Sequence, residues 1–264
     1  MSEIHIQRSE KDIVSRGERL QHLRPDAVKA AFNYYFNLPE DLSAPVDYER
    51  SFQNDDRLDR MLLIDTDWEI VSHIEGEQPT YEGTEYAEIR RFLKIVQPKA
   101  GDVVYDLGAG YGRVVLMGAI THPKATFKGV ELVSERVREA NEIRDRLGLE
   151  NAQFIHGNVR DVDLSDGNIF YMFNPFTSET LSIVMAKLGD VANHKRILLG
   201  STYMFGRLDR ITWLRELDPS AKKHDPSVLE SSFPRLYFPE KLAELHITEV
   251  TLGLPDGELP EVLS

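Results

Sequence analysis

Cysteine is missing from all 264 residues, which excludes disulfides, thiolate nucleophiles and Cys-ligated zinc. That absence fits a reducing compartment. Nor does any apolar run approach the roughly 18 residues of a membrane span. The opening stretch MSEIHIQRSEKDIVSRGERLQHL carries no hydrophobic region of a signal peptide. The expectation is a cytoplasmic protein with no membrane partner. Positive charge is scarce: 31 Lys and Arg face 44 Asp and Glu, for a formal net charge of −13 and a pI near 5.1. Such a surface repels a phosphate backbone unless charge is strongly segregated, so nucleic acid is not an expected partner. There is no internal repeat and no low-complexity tract. The composition is otherwise ordinary, 41% hydrophobic and 28% charged, enough for a sizeable core. The length fits one large domain, or one domain with an extension.

Two blocks follow one another. In residues 1–80, DAVKAAFNYYF (Asp26 to Phe36) reads as a helix, NLPEDLSAPVDYERSFQNDD as a Pro- and Asp-rich connection, and RLDRMLLI as a short helix. With no chemistry-bearing constellation, this block reads as a mostly helical cap or lid. From Thr84 the pattern becomes regular. Tyr86, Ile89, Phe92, Leu93 and Val96 recur at helical spacing behind Thr84 as a candidate N-cap. Strands DVVYDL, TFKGVEL, AQFIHG, NIFYMF and RILLGST then alternate with helices GRVVLMGAI, SERVREANEIRDRLG and SETLSIVMAKL. Ser134 is the candidate cap of the second of these, and Gly148 its end. ITWLREL, PRLYFP and LHITEVTLGL read as the last helix and strands. The alternation predicts an α/β fold, a doubly wound and mostly parallel sheet with helices on both faces. Ligands of such a sheet sit at the carboxyl ends of its strands, where Asp106, Glu131, Asn158 and Asn174 all fall.

The loop VVYDLGAGYGRVV is the most informative segment. A P-loop is excluded because no Lys-Ser or Lys-Thr follows the glycines. The dinucleotide fingerprint fails in both frames, since Arg113 or Val115 stands where the third glycine belongs. What remains is D-x-G-x-G-x-G, from Asp106 through Gly108 and Gly110 to Gly112. A tight turn permitted by glycine is the plain alternative.

This segment resembles the first motif of the class I, seven-β-strand, S-adenosylmethionine-dependent methyltransferases. The resemblance covers Thr80 to about Thr202 and implies a seven-stranded Rossmann-like fold, with S-adenosylmethionine as cofactor and S-adenosylhomocysteine as product; residues 81–264 are read as that methyltransferase domain. It implies that Gly108, Ala109, Gly110 and Gly112 let the backbone approach the methionine part, and that Asp106 serves its ammonium group. Glu131, ending the next strand, is implied to take the two ribose hydroxyls, with Leu132 beside the adenine. The family often has Gly-Asp where Gly157-Asn158 stands. Asn158 and Val159 are therefore the implied adenine contacts, Asn158 accepting through its amide oxygen and Asp161 standing as a second candidate. His156 reads as a satisfied histidine, of the core or of the layer behind the site, rather than as a base.

FYMFNPFTSE closes the fourth strand, where the family places its catalytic residues. Asn174, Pro175 and Phe176 resemble the Asn-Pro-Pro-aromatic motif of enzymes that methylate planar nitrogens, with one proline missing. They also resemble the strand end of the histone-lysine methyltransferases built on this fold. A strand stopped by Pro before a helix capped by Thr177 or Ser178 is the structural alternative. Tyr81-Glu82-Gly83-Thr84 is similar, with Gly and Glu exchanged, to a Tyr-Gly-Glu-Thr loop of that lysine family, and implies Tyr81 and Thr84 near the cofactor.

Methyl transfer needs alignment and exclusion of water, and neither a metal nor a covalent nucleophile. Asn174 would orient an acceptor N–H, and Tyr81, Phe173 and Phe176 would face a cationic methyl. The reading is transfer to a nitrogen, a protein lysine among the candidates. A small-molecule O- or C-methyltransferase is the nearest alternative; an NAD-dependent oxidoreductase and a non-catalytic SAM-binding protein are the others. The acceptor, the role of residues 1–80 and the oligomeric state stay open.

Overall fold

Five apolar stretches free of proline form the parallel strands, each sending alternate side chains to two covered faces. The computed structural model describes residues 20–36, 48–64, 81–173, 175–202, 207–208, 211–216 and 235–239. Strands β1 (Val103–Leu107), β2 (Thr126–Glu131), β3 (Ala152–His156), β4 (Ile169–Phe173) and β5 (Leu198–Thr202) pair in parallel. Two short strands, β6 (Leu214–Glu216) and β7 (Arg235–Pro239), extend the sheet, with β7 antiparallel to both β5 and β6. The spatial order is β3-β2-β1-β4-β5-β7-β6. The order reverses between β1 and β4, which opens a crevice at their carboxyl ends.

The helices are α1 (Pro25–Tyr35), α2 (Tyr48–Leu62), α3 (Tyr86–Val96), α4 (Arg113–Thr121), α5 (Ser134–Leu147) and α6 (Ser178–Ala192). Val104, Phe127, Phe154 and Tyr171 point to one face, where Phe32, Leu58, Phe92, Val115 and Ile143 from α1 to α5 cover them. Leu107, Val130, Phe170 and Met172 point to the other, against Leu181, Val184 and Leu188 of α6. Each such fully buried Leu or Phe contributes about 1.5–3 kcal/mol. The described parts of the N-terminal block thus share the core of the sheet.

Several local expectations need correction. The stretch read as a connection up to Asp56 is helical from Tyr48, so RLDRMLLI is the end of a longer helix. Leu58 and Leu62, one turn apart, are fully buried, while the polar run before them hides the periodicity. Residues 37–47 lie outside the described residues. Thr84 does not cap α3, whose cap position is Glu85, and Val133 rather than Ser134 precedes α5. The Ser134 hydroxyl donates to Glu135 instead. Gly148 does end α5, with φ 62°, and Thr177 caps α6 by accepting from the Thr180 N–H. ITWLREL contains β6 rather than a helix, PRLYFP contains β7, and LHITEVTLGL lies outside the described residues. His156 is exposed at the end of β3, its Nε2 3.2 Å from the Leu132 carbonyl, and is no core residue. Among the described residues no helix is long and apolar enough to cross a membrane.

Candidate functional site

The loop after β1 is built on positive φ. Gly108, Gly110 and Gly112 have φ of 94°, 55° and 88°, a region costly for residues with a Cβ. Both Gly108 N–H and Ala109 N–H donate to the Val130 carbonyl at 2.9 Å, so the loop folds over the end of β2. The glycines also permit close packing. A Cβ on Gly108 would fall 2.4 Å from Pro175 Cβ, one on Gly110 2.5 Å from the Tyr81 ring, and one on Gly112 2.5 Å from the Phe154 ring. Close approach is therefore required here by protein neighbours already. Pro175 and Tyr81 border the loop from the β4 end and from the segment before α3.

Asp106 ends on the face of the sheet that α3 covers and is buried. Burial pushes its carboxyl up to about 8, and the Glu131 charge adds to the shift. No donor or cation among the described residues offsets these two effects. Glu131 is equally buried but well served. Its Oε2 accepts the Gly110 N–H at 2.8 Å, and its Oε1 accepts the Val133 N–H at 2.9 Å and lies 3.3 Å from Arg136 Nη1. A carboxylate offers about four acceptor positions, so Oε2 keeps one. Two ribose hydroxyls, as the resemblance implies, would require one of these partners to yield; one hydroxyl would not.

Leu132 is half-buried beside Glu131, and Val159 is buried in the core on the α6 side. Asn158 turns inward on its own loop: its Oδ1 accepts the Arg160 N–H at 3.0 Å. One lone pair of that amide oxygen is thus already used. Lys187 of α6 donates to the carbonyls of Val159, Arg160 and Val162 and fixes the same loop. Asp161 is exposed. Asn174 lies outside the described residues. Phe176 is buried with the α6 core, and its carbonyl accepts from Arg207 at 2.8 Å. Thr84 is buried, its carbonyl accepting from Arg113 at 2.9 Å.

Sequence reasoning missed the arginines that join these parts. Arg136 pairs with Glu131 and lies 5.4 Å from the Tyr81 ring centroid. Arg113 reaches Asp59 of α2 through Nε at 3.0 Å and again through Nη2. Neither contact has a local signature, because 54 residues separate Arg113 from Asp59. A buried cluster of Glu85, Glu88 and Arg91 on α3 was missed as well. Among the described residues no group of His, Cys, Asp and Glu could hold a metal ion.

The residues present fit a cofactor bearing an ammonium group. Asp106 is a buried acid without a compensating cation, and Glu131 keeps an acceptor position, both at strand ends beside the switch point of the sheet. Residues 98–192 match the family model described as a methyltransferase domain. A protein-lysine N-methyltransferase of Saccharolobus islandicus is 35% identical over 94 residues, covering 35% of this chain and 58% of that protein. A tRNA (guanine-N(7)-)-methyltransferase of Synechocystis is 46% identical over 54 residues, 20% of this chain and 26% of that protein. The chain thus spans less than two thirds of the length of each. An RNA methyltransferase from Salinibacter ruber, solved with S-adenosyl-L-homocysteine, superposes with a TM-score of 0.40 at 19% identity, covering 67% of this chain and 95% of that one. Residues 98–192 thus match a methyltransferase domain and are similar in sequence to a protein-lysine N-methyltransferase.

Proposed function

We propose that the protein transfers a methyl group from S-adenosylmethionine to a nitrogen acceptor, with a protein lysine as the first acceptor to test. The buried Asp106 beside the glycine loop carries this reading, because it is an acid that a bound ammonium would satisfy. When bound, S-adenosylmethionine supplies a methyl on a sulfonium centre whose leaving group is neutral. Asp106 would hold the ammonium, and the backbone of Gly108, Ala109, Gly110 and Gly112 would line the methionine part. Glu131 would accept a ribose hydroxyl on Oε2, and Leu132, Asn158 and Val159 would border the adenine. Tyr81 would close the site from above Gly110, with Thr84 behind it. Pro175 lies against Gly108, so the segment that includes Asn174 and Phe176 would present the acceptor, with Asn174 orienting its N–H. The division into residues 1–80 as a cap and 81–264 as the methyltransferase domain belongs to the same proposal.

Nitrogen is preferred because both relatives are named for nitrogen methylation. The protein acceptor is preferred because a net charge of −13 favours a basic partner over RNA. The test is transfer of labelled methyl from S-adenosylmethionine to basic proteins, tRNA, small amines and small hydroxyl compounds. Label on lysine of a basic protein is the expected result. Label only on tRNA or only on oxygen would replace the acceptor assignment, and no transfer to any class would remove the activity.

A further inference from the structure

The segment Tyr81 to Thr84 is clasped at both ends by arginines, Arg136 buried and Arg113 largely so, and each arginine is held by an acid. At the Thr84 end, Arg113 donates from Nη1 to the Thr84 carbonyl at 2.9 Å. The same guanidinium makes a two-armed pair with Asp59 and lies 3.8 Å from Asp55. Tyr86 completes the arrangement. Its hydroxyl donates to Asp59 at 2.8 Å, its N–H to Asp55 at 3.3 Å, and the guanidinium lies 4.9 Å from its ring centroid. Gly83 rests against this assembly, since a Cβ there would fall 2.5 Å from Arg113 Nη1 and 2.7 Å from the Tyr81 hydroxyl. At the other end, the Tyr81 ring covers Gly110, meets Tyr111 edge-on at 5.0 Å and faces Arg136, which pairs with Glu131.

Arg113 directly follows Gly112, so it is the first residue beyond the glycine loop. Asp55 and Asp59 sit one turn apart on α2, on the side that faces this arginine. We propose that Asp59 and Arg113 form a latch that holds residues 81–84 over the glycine loop, which makes α2 of the N-terminal block a positioning element of the cofactor site. This rests on the reading of that site as the S-adenosylmethionine pocket. The pair is largely buried, with side-chain exposures of 14% and 12%, so water does little to screen it or to replace its bonds. Cutting the pair releases the Thr84 end, and with it the registry of Tyr81 over Gly110.

The experiment compares Asp59→Asn and Arg113→Lys with the wild-type full chain, using S-adenosylhomocysteine as the probe. Asn keeps the size of Asp59 without its charge, and Lys keeps the charge of Arg113 without its fork. Hydrogen exchange is followed at residues 81–84, and affinity is measured by calorimetry. The latch requires faster exchange in 81–84 in both variants. It also requires weaker S-adenosylhomocysteine binding by about tenfold for Asp59→Asn, within the usual range of site-to-site coupling, and a smaller loss for Arg113→Lys. Unchanged exchange in 81–84 in either folded variant overturns the latch, even where thermal stability drops. Faster exchange with affinity within twofold of wild type overturns its link to the cofactor. Should Asp59→Asn not fold, Arg113→Lys is judged by the same two readouts. If wild type itself does not bind S-adenosylhomocysteine, the cofactor reading fails, while the exchange comparison still decides the latch.

Discussion

Asp106 and Glu131 stand on neighbouring strands and differ in what satisfies them. Glu131 receives two backbone N–H groups and Arg136, and so ties the loop after β1 to the loop after β2. Its role near a ribose would be added to a structural one. Glu131→Ala is therefore expected to weaken S-adenosylhomocysteine binding and to destabilise the ligand-free protein, because the Gly110 and Val133 N–H groups lose their acceptor. Loss of charge-assisted bonds of about 1.5–3 kcal/mol corresponds to roughly ten- to hundredfold in affinity. Calorimetry beside thermal unfolding separates the two effects. A variant that loses stability but keeps its affinity would leave Glu131 as a loop tie only.

Helix α4 shows how close contact, rather than propensity, governs a position within an element. It lies so near β2 that a Cβ on Gly118 would fall 2.1 Å from Phe127 Cε1. On an exposed helix, replacing Gly by Ala gains up to about 1 kcal/mol. Here Gly118→Ala is expected to cost about 1–3 kcal/mol through overpacking, read as a lower denaturation midpoint with an unchanged slope. A raised midpoint would mean that the Phe127 ring moves aside at no cost. The legible elements were those with a strong period, such as β1, β4 and α6. The Thr177 cap of α6 was legible, but the starts of α3 and α5 were not, because tertiary partners set them. Thr84 gives its carbonyl to Arg113, and the Val133 N–H is taken by Glu131. The part of α2 before Arg57 was illegible for a related reason: Asp55 looks like a solvent-facing acid until Arg113 is brought to it.

At the scale of the whole molecule, burial raises the carboxyls of Asp55, Glu88 and Asp106 among the described residues. Asp55 is pushed to about 7, Glu88 to about 8 and Asp106 to about 8, in each case with a neighbouring acid adding to the effect. Each folded-state value lies above the unfolded one, so these groups stabilise the fold fully below about pH 4. Their contribution is lost as pH rises toward 7–8, since the unfolded chain ionises freely while the folded chain resists. For Glu88, Arg91 at 3.6 Å works against the shift without cancelling it. The ligand-free protein is expected to lose stability on going from about pH 6 to pH 8. Glu88→Gln should flatten part of that slope, as measured by unfolding midpoints across the range. An unchanged slope would mean that Glu88 ionises without penalty. The candidate site was legible to the extent that Asp106 and Glu131 do stand buried at the ends of neighbouring strands. It was not legible where the fold joins distant acids and arginines around residues 81–84.

Asp106 also links protonation to binding. Below about pH 8 its carboxyl holds a proton in the ligand-free protein, and an ammonium ligand requires that proton to leave. The decisive measurement is calorimetric titration of the full chain with S-adenosylhomocysteine and with NAD, between about pH 6 and pH 8. S-adenosylhomocysteine should bind with proton release and an affinity that rises with pH by up to about tenfold per unit. NAD should not bind, and Asp106→Asn should bind more weakly with no pH dependence. No heat with S-adenosylhomocysteine, or equal binding of NAD, would contradict the assignment of this crevice to S-adenosylmethionine.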